Sequence, residues 1–414
     1  MNNFSYVKIS DIGTVTTGRT PKTSNPNNYG NDYMFIGPTD LHKHFLITES
    51  ERMVTQQGFD SIKSSTLNGV SVLVGCIGWD MGNIGIVEGA CVTNQQINSI
   101  TNIRDRYNPF YIYYWLKTKK DFLFSQATVT RTPILNKSTF SNIEIYIPSE
   151  RSSQDGLVEI LISIDKKIEL NNQINAELEA MAKTLYDYWF VQFDFPNADG
   201  KSYKSCGGKM VYNEVLKREI PEGWSSSTIE DIEPNIVTGK TPSKKKPEYF
   251  DGDTPFITIG DIRANTFIVQ TEETLTSEGA DTQKNKYLPE DTICVTCIAS
   301  PGLVGFVTEK SQTNQQINSV VCSNRLNMYY LYFAIKAYFE GAKAKTGNTF
   351  ANMNKGDFSS INMLYPNKEL LTKYYEVVDP LFRQIKVKTL ENKKLENLRD
   401  WLLPMLMNGQ VTVK

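Results

Sequence analysis

Two long stretches of this chain place apolar residues alternately three and four positions apart. In the first, Leu161, Ile164, Ile168, Asn171, Asn175, Leu178, Ala182, Leu185 and Trp189 line one face of a helix with the a/d spacing of a coiled coil. Lys166, Lys167, Glu169, Glu177 and Glu179 fall on the face left to solvent. The helix is expected to give out in Tyr188-Trp189-Phe190, with Pro196 closing it off. In the second stretch the seam is Val378, Leu381, Ile385, Lys388, Asn392, Leu395, Arg399, Leu402 and Leu406. Asp379-Pro380 is the predicted cap and first turn, Pro404 weakens the last turn, and Asn408-Gly409 ends it. Elsewhere the pattern is that of strands. Ile36, Val72-Leu73-Val74, Ile84-Gly85-Ile86-Val87 and Ile143–Ile147 are short β-branched runs punctuated by Gly, Asn and Pro, and Tyr111–Leu116 is the main helix candidate among them.

The strand-rich region occurs twice. Thr93-Asn94-Gln95-Gln96-Ile97-Asn98-Ser99 returns unchanged at Thr313–Ser319. Around it, Thr17-Gly18-Arg19-Thr20-Pro21 answers Thr238-Gly239-Lys240-Thr241-Pro242, Cys76-Ile77 answers Cys297-Ile298, and Asn136-Lys137 answers Asn354-Lys355. A period of this length is far beyond the roughly 20–50 residues of solenoids and propellers, so each copy is a whole domain. The predicted organisation is α+β: a mostly-β domain over 1–148, a helix over 149–196, a polar linker over 197–219, a second domain over 220–366, and a second helix with its tail over 367–414.

Each helix has one apolar stripe and no other evident place to bury it, so the two are expected to pair. A helix over Leu157–Trp189 is roughly 50 Å long at about 1.5 Å per residue. The second domain is attached at its far end, so an antiparallel return needs no long connection. Asn171 then lies across from Asn392 and Asn175 across from Lys388, a polar belt of the kind that fixes register at some expense of stability. The result is a pseudo-two-fold object with two similar lobes along a rigid rod. Reading two short DNA segments at a fixed separation needs that shape. At about 3.4 Å per base step, the rod bounds the separation of the lobes at about 15 base pairs.

Composition adds limits. Hydrophobic residues make up 40% of the 414, which excludes a disordered chain. The absence of an apolar run of about 18 residues and of a signal pattern predicts a cytoplasmic protein without a membrane partner. Six cysteines, most in apolar runs, read as reduced core residues. The net charge of −2 does not announce a nucleic-acid binder. A balanced total still allows basic faces such as Lys244-Lys245-Lys246, and partners in a complex can share phosphate contacts.

Taken together, the doubled T-G-[KR]-T-P loop, the doubled T-N-Q-Q-I-N block, Trp189–Asp194, Gly207-Gly208-Lys209-Met210-Val211, Ile220-Pro221-Glu222-Gly223-Trp224 and Leu406-Met407-Asn408-Gly409 carry a family resemblance over essentially the full chain. The chain resembles the specificity subunit of a type I restriction-modification system. One departure is Ser153-Gln154, where many members have Glu-Gln, and the second copy lacks the Gln. The resemblance implies two target-recognition domains, each reading one half of a split double-stranded DNA sequence. It implies that the helices set the gap and dock two methyltransferase subunits. Those partners would supply S-adenosylmethionine and N6-adenine methylation, and restriction subunits would supply ATP- and Mg-dependent translocation and cleavage. No cofactor, metal or catalysis is expected in this chain.

Where two domains read different half-sites, their reading residues should differ. Segments 42–66 and 263–286, and 118–135 and 337–353, diverge most between the halves. Arg131 and Thr132 in one copy, and Arg263, Lys343, Lys345 and Asn348 in the other, are therefore candidate DNA contacts, since Arg and Lys contact guanine edges and Asn pairs with adenine. The shared loops, Arg19, Thr20 and Lys22 with Lys240, Thr241, Lys244, Lys245 and Lys246, suit phosphate anchoring, a purely structural turn being the alternative. By the same logic, the identity of Asn94-Gln95-Gln96 in both copies reads as a buried scaffold network.

Several motifs are decoys. Gly13–Thr20 has Arg19 where a P-loop needs Lys, and its duplicate has Glu233-Pro234 in place of the first glycine. Asn108-Pro109-Phe110-Tyr111 lacks the second proline of an adenine-binding methyltransferase site and reads as a helix start. Cys294-Val295-Thr296-Cys297 has no second pair for zinc, and His42 and His44 are the only histidines. Glu391-Asn392-Lys393 lies on the rod and reads as a solvated face. Two rival functions stand beside DNA specificity. One is a self-sufficient nuclease or methyltransferase, which methylation by the purified chain alone would reveal. The other is a scaffold whose lobes bind something other than DNA. The helix pairing makes its own prediction: replacing Asn171 and Asn392 together with Leu should raise the melting temperature, and a marked fall would count against the pairing.

Overall fold

The computed structural model describes residues 4–42, 45–129, 131–263, 265–346 and 352–411. The chain divides into two units, one of residues 1–169 with 394–414 and one of residues 170–393. In the first, a five-stranded sheet runs in the order Thr14–Thr17, Ile97–Thr101, Ser71–Gly75, Ile84–Val87, Leu46–Ile47, antiparallel except for its last pair. Its central strand is buried on both faces, and its alternation sorts the residues. Val72 and Val74 join a core with the helix α1 (Pro109–Lys117), whereas Leu73 joins Ile36, Val87 and Ile97 on the opposite side. The ribbon Phe4–Lys8 against Glu144–Pro148 ties the start of this domain to its end.

The second unit repeats the plan. Its five strands, Ile236–Thr238, Ile317–Val320, Ile293–Thr296, Val304–Val307 and Phe267–Ile268, follow the same order with the same single parallel pair. The ribbon Ser225–Thr228 against Asn362–Tyr365 closes it. The segment ahead of it, expected as a polar linker, has structure of its own. It carries the hairpin Met210–Asn213 and Arg218–Pro221, and Phe195 stacks on Tyr203 at 4.6 Å and on Trp224 at 5.1 Å.

Asn108 caps α1, its Oδ1 accepting from Phe110 N at 2.7 Å and Tyr111 N at 3.2 Å. The helix α2 (Arg151–Tyr186) continues as a π turn over Asp187–Val191. Gln154 on its first turn is fully buried; it accepts from Asn108 N at 2.7 Å and donates to Pro148 O at 2.8 Å, seating the helix on the domain. In the second unit, α3 (Met328–Thr346) corresponds to α1, and α4 (Lys368–Met407) is the second long helix. It begins earlier than Asp379-Pro380, so Pro380 lies in its interior. An interior proline costs about 3 kcal/mol. Here Tyr374, Val378, Phe382 and Ile385 are buried around it, and each such side chain contributes about 1.5–3 kcal/mol on burial. Packing therefore overrides the break that Pro380 signals.

Within the second unit α2 and α4 run antiparallel. Asn171 Nδ2 donates to Asn392 Oδ1 at 2.8 Å and to Glu391 Oε2 at 2.9 Å, and Asn392 Nδ2 donates to Asn172 Oδ1 at 2.7 Å. Asn175 faces Thr389 at 3.3 Å instead of Lys388, whose Nζ reaches back to Asn171 Oδ1 at 3.4 Å. A long flexible stem lets Lys388 leave the seam for a polar partner. Ile385 is buried and Leu178, Leu185 and Leu381 are partly so. Two acidic residues assigned to a solvated face are partly enclosed. Glu391 meets Asn171, and Glu179 accepts from Tyr332 Oη and Lys336 Nζ, both at 2.7 Å, and from Thr266. Burial acts to raise the Glu179 carboxyl, and the charge and hydrogen bond of Lys336, with hydrogen bonds from Thr266 and Tyr332, overcome it and hold the group below its ordinary range.

In the first unit the same helices meet as Leu157, Val158 and Leu161 against Leu403, Leu406 and Met407, with Leu402 partly buried, Ile164 and Ile168 buried and Leu395 half-buried. At their centre Arg399 Nη1 donates to Asp165 Oδ1 at 2.8 Å, and Tyr114 Oη donates to Asp165 Oδ2 at 2.6 Å. Asp165 is only 4% exposed. Aligning Tyr111–Lys117 with Tyr330–Lys336 and α2 with α4 puts Phe333, Phe382 and Ala182 at the matching places in the second unit. The Phe333 and Phe382 rings lie 5.9 Å apart there. One unit thus holds a buried ion pair where the other holds an apolar contact. Arg399→Met should leave the Asp165 carboxylate without its cation and lower the first unit's stability by about 3–5 kcal/mol, read as a fall in its thermal transition. Installing the second unit's set, Tyr114→Phe with Asp165→Phe and Arg399→Ala, should recover most of that loss.

Candidate nucleic-acid interface

The T-G-[RK]-T-P loops lie directly on the T-N-Q-Q-I-N turns. A Cβ on Gly18 would sit 2.0 Å from Asn94 O, and one on Gly239 would sit 2.2 Å from Asn314 O, so only glycine admits the approach. Thr17 Oγ1 donates to Asn98 Oδ1 at 2.7 Å, and Thr238 Oγ1 to Asn318 Oδ1 at 2.6 Å. Thr20 Oγ1 donates to Gln95 Oε1, and Thr241 Oγ1 to Gln315 Oε1, both at 2.7 Å. Each turn is built by its own Asn: Gln96 N donates to Asn94 Oδ1, and Gln316 N to Asn314 Oδ1. The scaffold reading fits Asn94 and Gln96, which are half-buried. It does not fit Gln95 and Gln315, which are exposed.

The cationic loops differ in what they leave free. Arg19 and Lys22 are exposed in the first domain, and Lys240 and Lys245 in the second. Lys244 pairs with Glu273 at 2.9 Å, and Lys246 donates to Tyr249 Oη at 2.8 Å with its ammonium 4.8 Å from the ring centre. Arg263 is exposed at the end of a short helix, and Lys343 is exposed on α3. The side chain of Lys345, and Asn348 and His44 altogether, lie outside the described residues.

Arg131 and Thr132 are exposed on a small ribbon, Thr128–Val129 against Pro133–Ile134. Gly78 N donates to Pro133 O at 3.0 Å and Leu135 N to Cys76 O at 2.9 Å, which docks this ribbon beside the loop that follows the central strand. That loop presents Trp79, 70% exposed, with its ring 6.1 Å from Phe124. Asp80 beside it pairs with His42 at 3.0 Å and Lys120 at 3.2 Å. Hydrogen bonding from Asn83, with the charge of Lys120 and His42, holds its carboxyl below the ordinary range. The matching loop of the second domain, Ala299-Ser300-Pro301, has no aromatic. The sequence comparison of the halves does not single out Trp79. Its signal is the one-residue gap between the copies at this loop.

The Cys294-Val295-Thr296-Cys297 motif resolves into core packing. Cys294 and Cys297 belong to cores on opposite faces of one strand, so they cannot share an ion. Burial pushes the Cys294 thiol up to about 12 and Cys297 to about 11. Among the described residues there is no group of three or more His, Cys, Asp or Glu able to hold a metal, and no helix long and apolar enough to cross a membrane.

Comparison with known proteins gives the arrangement a family. The type I restriction modification DNA specificity domain matches twice, over residues 1–180 and 221–397. The type I restriction enzyme HindI specificity subunit of Haemophilus influenzae is 32% identical over 330 residues, covering 67% of this chain and 71% of that protein. The MjaIX specificity subunit of Methanocaldococcus jannaschii is 26% identical over 421 aligned positions, covering 98% of this chain and 93% of that protein. A crystal structure of a type I restriction-modification S subunit from M. genitalium shares the fold, with a TM-score of 0.58 at 15% identity over 98% of this chain and 96% of that one. With the doubled domain match and these relatives in agreement with its doubled fold, this chain belongs to the type I restriction-modification specificity subunits, the DNA sequence-recognition components of those systems.

Proposed function

We propose that each domain reads one half of a bipartite double-stranded DNA target, and that α2 and α4, which both run from one unit into the other, set the spacer and dock two methyltransferase subunits. On this reading the chain is non-catalytic. S-adenosylmethionine, ATP and Mg belong to methyltransferase and restriction partners. The observation that carries it is the repeated scaffold with unlike surfaces: the same order of the five-stranded sheet and the same loop-to-turn bonds in both domains, but an exposed Trp79 in the first where the second has Ala299-Ser300-Pro301. A common frame with differing contact residues is what two readers of different half-sites require. The acidic balance of the chain is compatible with this if the partners share the phosphate contacts.

The test is to co-express the chain with the methyltransferase subunit encoded beside it and to map methylated adenines in the host genome. A split motif with one modified adenine in each half is expected. A complex that forms without any motif would bring the scaffold function forward. Arg131→Ala and Trp79→Ala should each relax or abolish one half of the motif, a loss of about 1–3 kcal/mol in discrimination, and leave the other half intact. Equal weakening of both halves would remove these two residues from the reading surface.

A further inference from the structure

The exposed residue of the repeated block, Gln95 in one copy and Gln315 in the other, is the one whose identity burial does not explain. Asn94 and Asn314 build the turns through the backbone N–H of Gln96 and Gln316, and their Nδ2 groups donate to Gln96 Oε1 and Gln316 Oε1, both at 3.2 Å. Gln95 and Gln315 are exposed and take no part in that construction. Each is nevertheless held in one orientation, because a hydroxyl from the facing loop occupies its carbonyl oxygen at the same 2.7 Å in both domains. A hydroxyl on Oε1 turns the amide so that its NH2 is the group presented to solvent. Two N–H donors then stand on the same pair of loops as an exposed cation, Arg19 in one domain and Lys240 in the other. Lys240 is itself fixed to the turn through its backbone, Lys240 N donating to Thr313 O at 2.9 Å.

From this geometry we infer that Gln95 and Gln315 are DNA phosphate anchors, one in each domain, which grip the backbone whatever the base sequence. The inference rests on the reading of both domains as DNA-binding. Donors oriented in advance beside a cation match the acceptor-only oxygens of a phosphodiester, and backbone contacts of this kind set register without carrying sequence information. Identity in both copies follows, since the two half-sites differ in bases but share the phosphate backbone. A base-reading glutamine would instead impose the same base on both halves.

The test uses the complex of the full chain with its methyltransferase subunit and measures affinity for a duplex carrying the mapped motif and for an unrelated duplex. Gln95→Glu and Gln315→Glu, which replace a donor by a negative charge, should each weaken both affinities by about tenfold and leave the methylation motif unchanged. Gln95→Lys should hold or raise affinity. A merely structural glutamine would move the Glu and Lys variants together, and that outcome overturns the inference. So does an altered motif in one half, which would make Gln95 a base reader. A wild-type complex that binds no DNA and gives no motif overturns the functional reading itself, whereas a wild-type motif with unchanged affinity in both Glu variants overturns only the anchor.

Discussion

A side-chain amide shut between two helices must find its hydrogen bonds across the interface, and Asn171 finds three. It donates to Asn392 and Glu391 and accepts from Lys388. Sliding one helix by a turn would strand a fully buried amide against apolar side chains, at about 1–3 kcal/mol for each group left unsatisfied. The apolar seam alone would not discriminate so sharply, because Leu178, Leu185, Leu381 and Ile385 are near-equivalent in size. The depth at which α4 seats along α2 within the second unit is thus set by polar chemistry, and the apolar residues supply the adhesion.

The two domains solve one packing problem in two ways. Each seats a tyrosine-bearing helix against the stretches of α2 and α4 in its own unit, with a Tyr-Lys pair at its rim: Lys117 with Tyr113 at 3.3 Å, and Lys336 with Tyr332 at 2.9 Å. Beneath that rim, Tyr114, Asp165 and Arg399 stand where Phe333, Phe382 and Ala182 stand in the other copy. Buried ion pairs and well-packed apolar sets of similar volume are close in free energy, so one fold can carry either, although any single-substitution path between them passes through an unpaired buried charge.

Much of this was legible in the sequence because it depends on period and repetition. The three-four spacing gives both helices, the alternation of Val72-Leu73-Val74 gives a strand with two buried faces, and the doubled heptapeptide gives the domain plan. The start of α4 was not legible, because Pro380 is a local signal and the burial of Tyr374 and Phe382 is a tertiary one. Glu179 and Glu391 misled for the same reason. Spacing assigns a face of the helix, and it takes Tyr332, Lys336 and Asn171 arriving from elsewhere to enclose that face. For the interface, residue type found exposed cations but could not foresee that Lys244 and Lys246 answer to Glu273 and Tyr249. Nor could it foresee that Gln95 points outward from a block that reads as buried.

The unlike seats have a consequence for how a duplicated chain folds. Two lobes with one sheet order, joined to two helices of one pattern, invite mispairing as they emerge, since each lobe could seat the stretch of helix that belongs to the other. If the Phe382 stretch of α4 lay where Asp165 lies, the Tyr114 hydroxyl would have no acceptor. If the Asp165 stretch of α2 lay where Phe382 lies, Asp165 would enter a nest of Phe306, Tyr329 and Phe333, the rings that surround Phe382. There the carboxylate would lose the Tyr114 hydroxyl, since Phe333 stands in its place, and a buried ion pair with incomplete hydrogen bonding costs several kcal/mol. The two seats are thus chemically unlike, one polar and charged and the other aromatic, and each suits its own stretch of helix better than the other's.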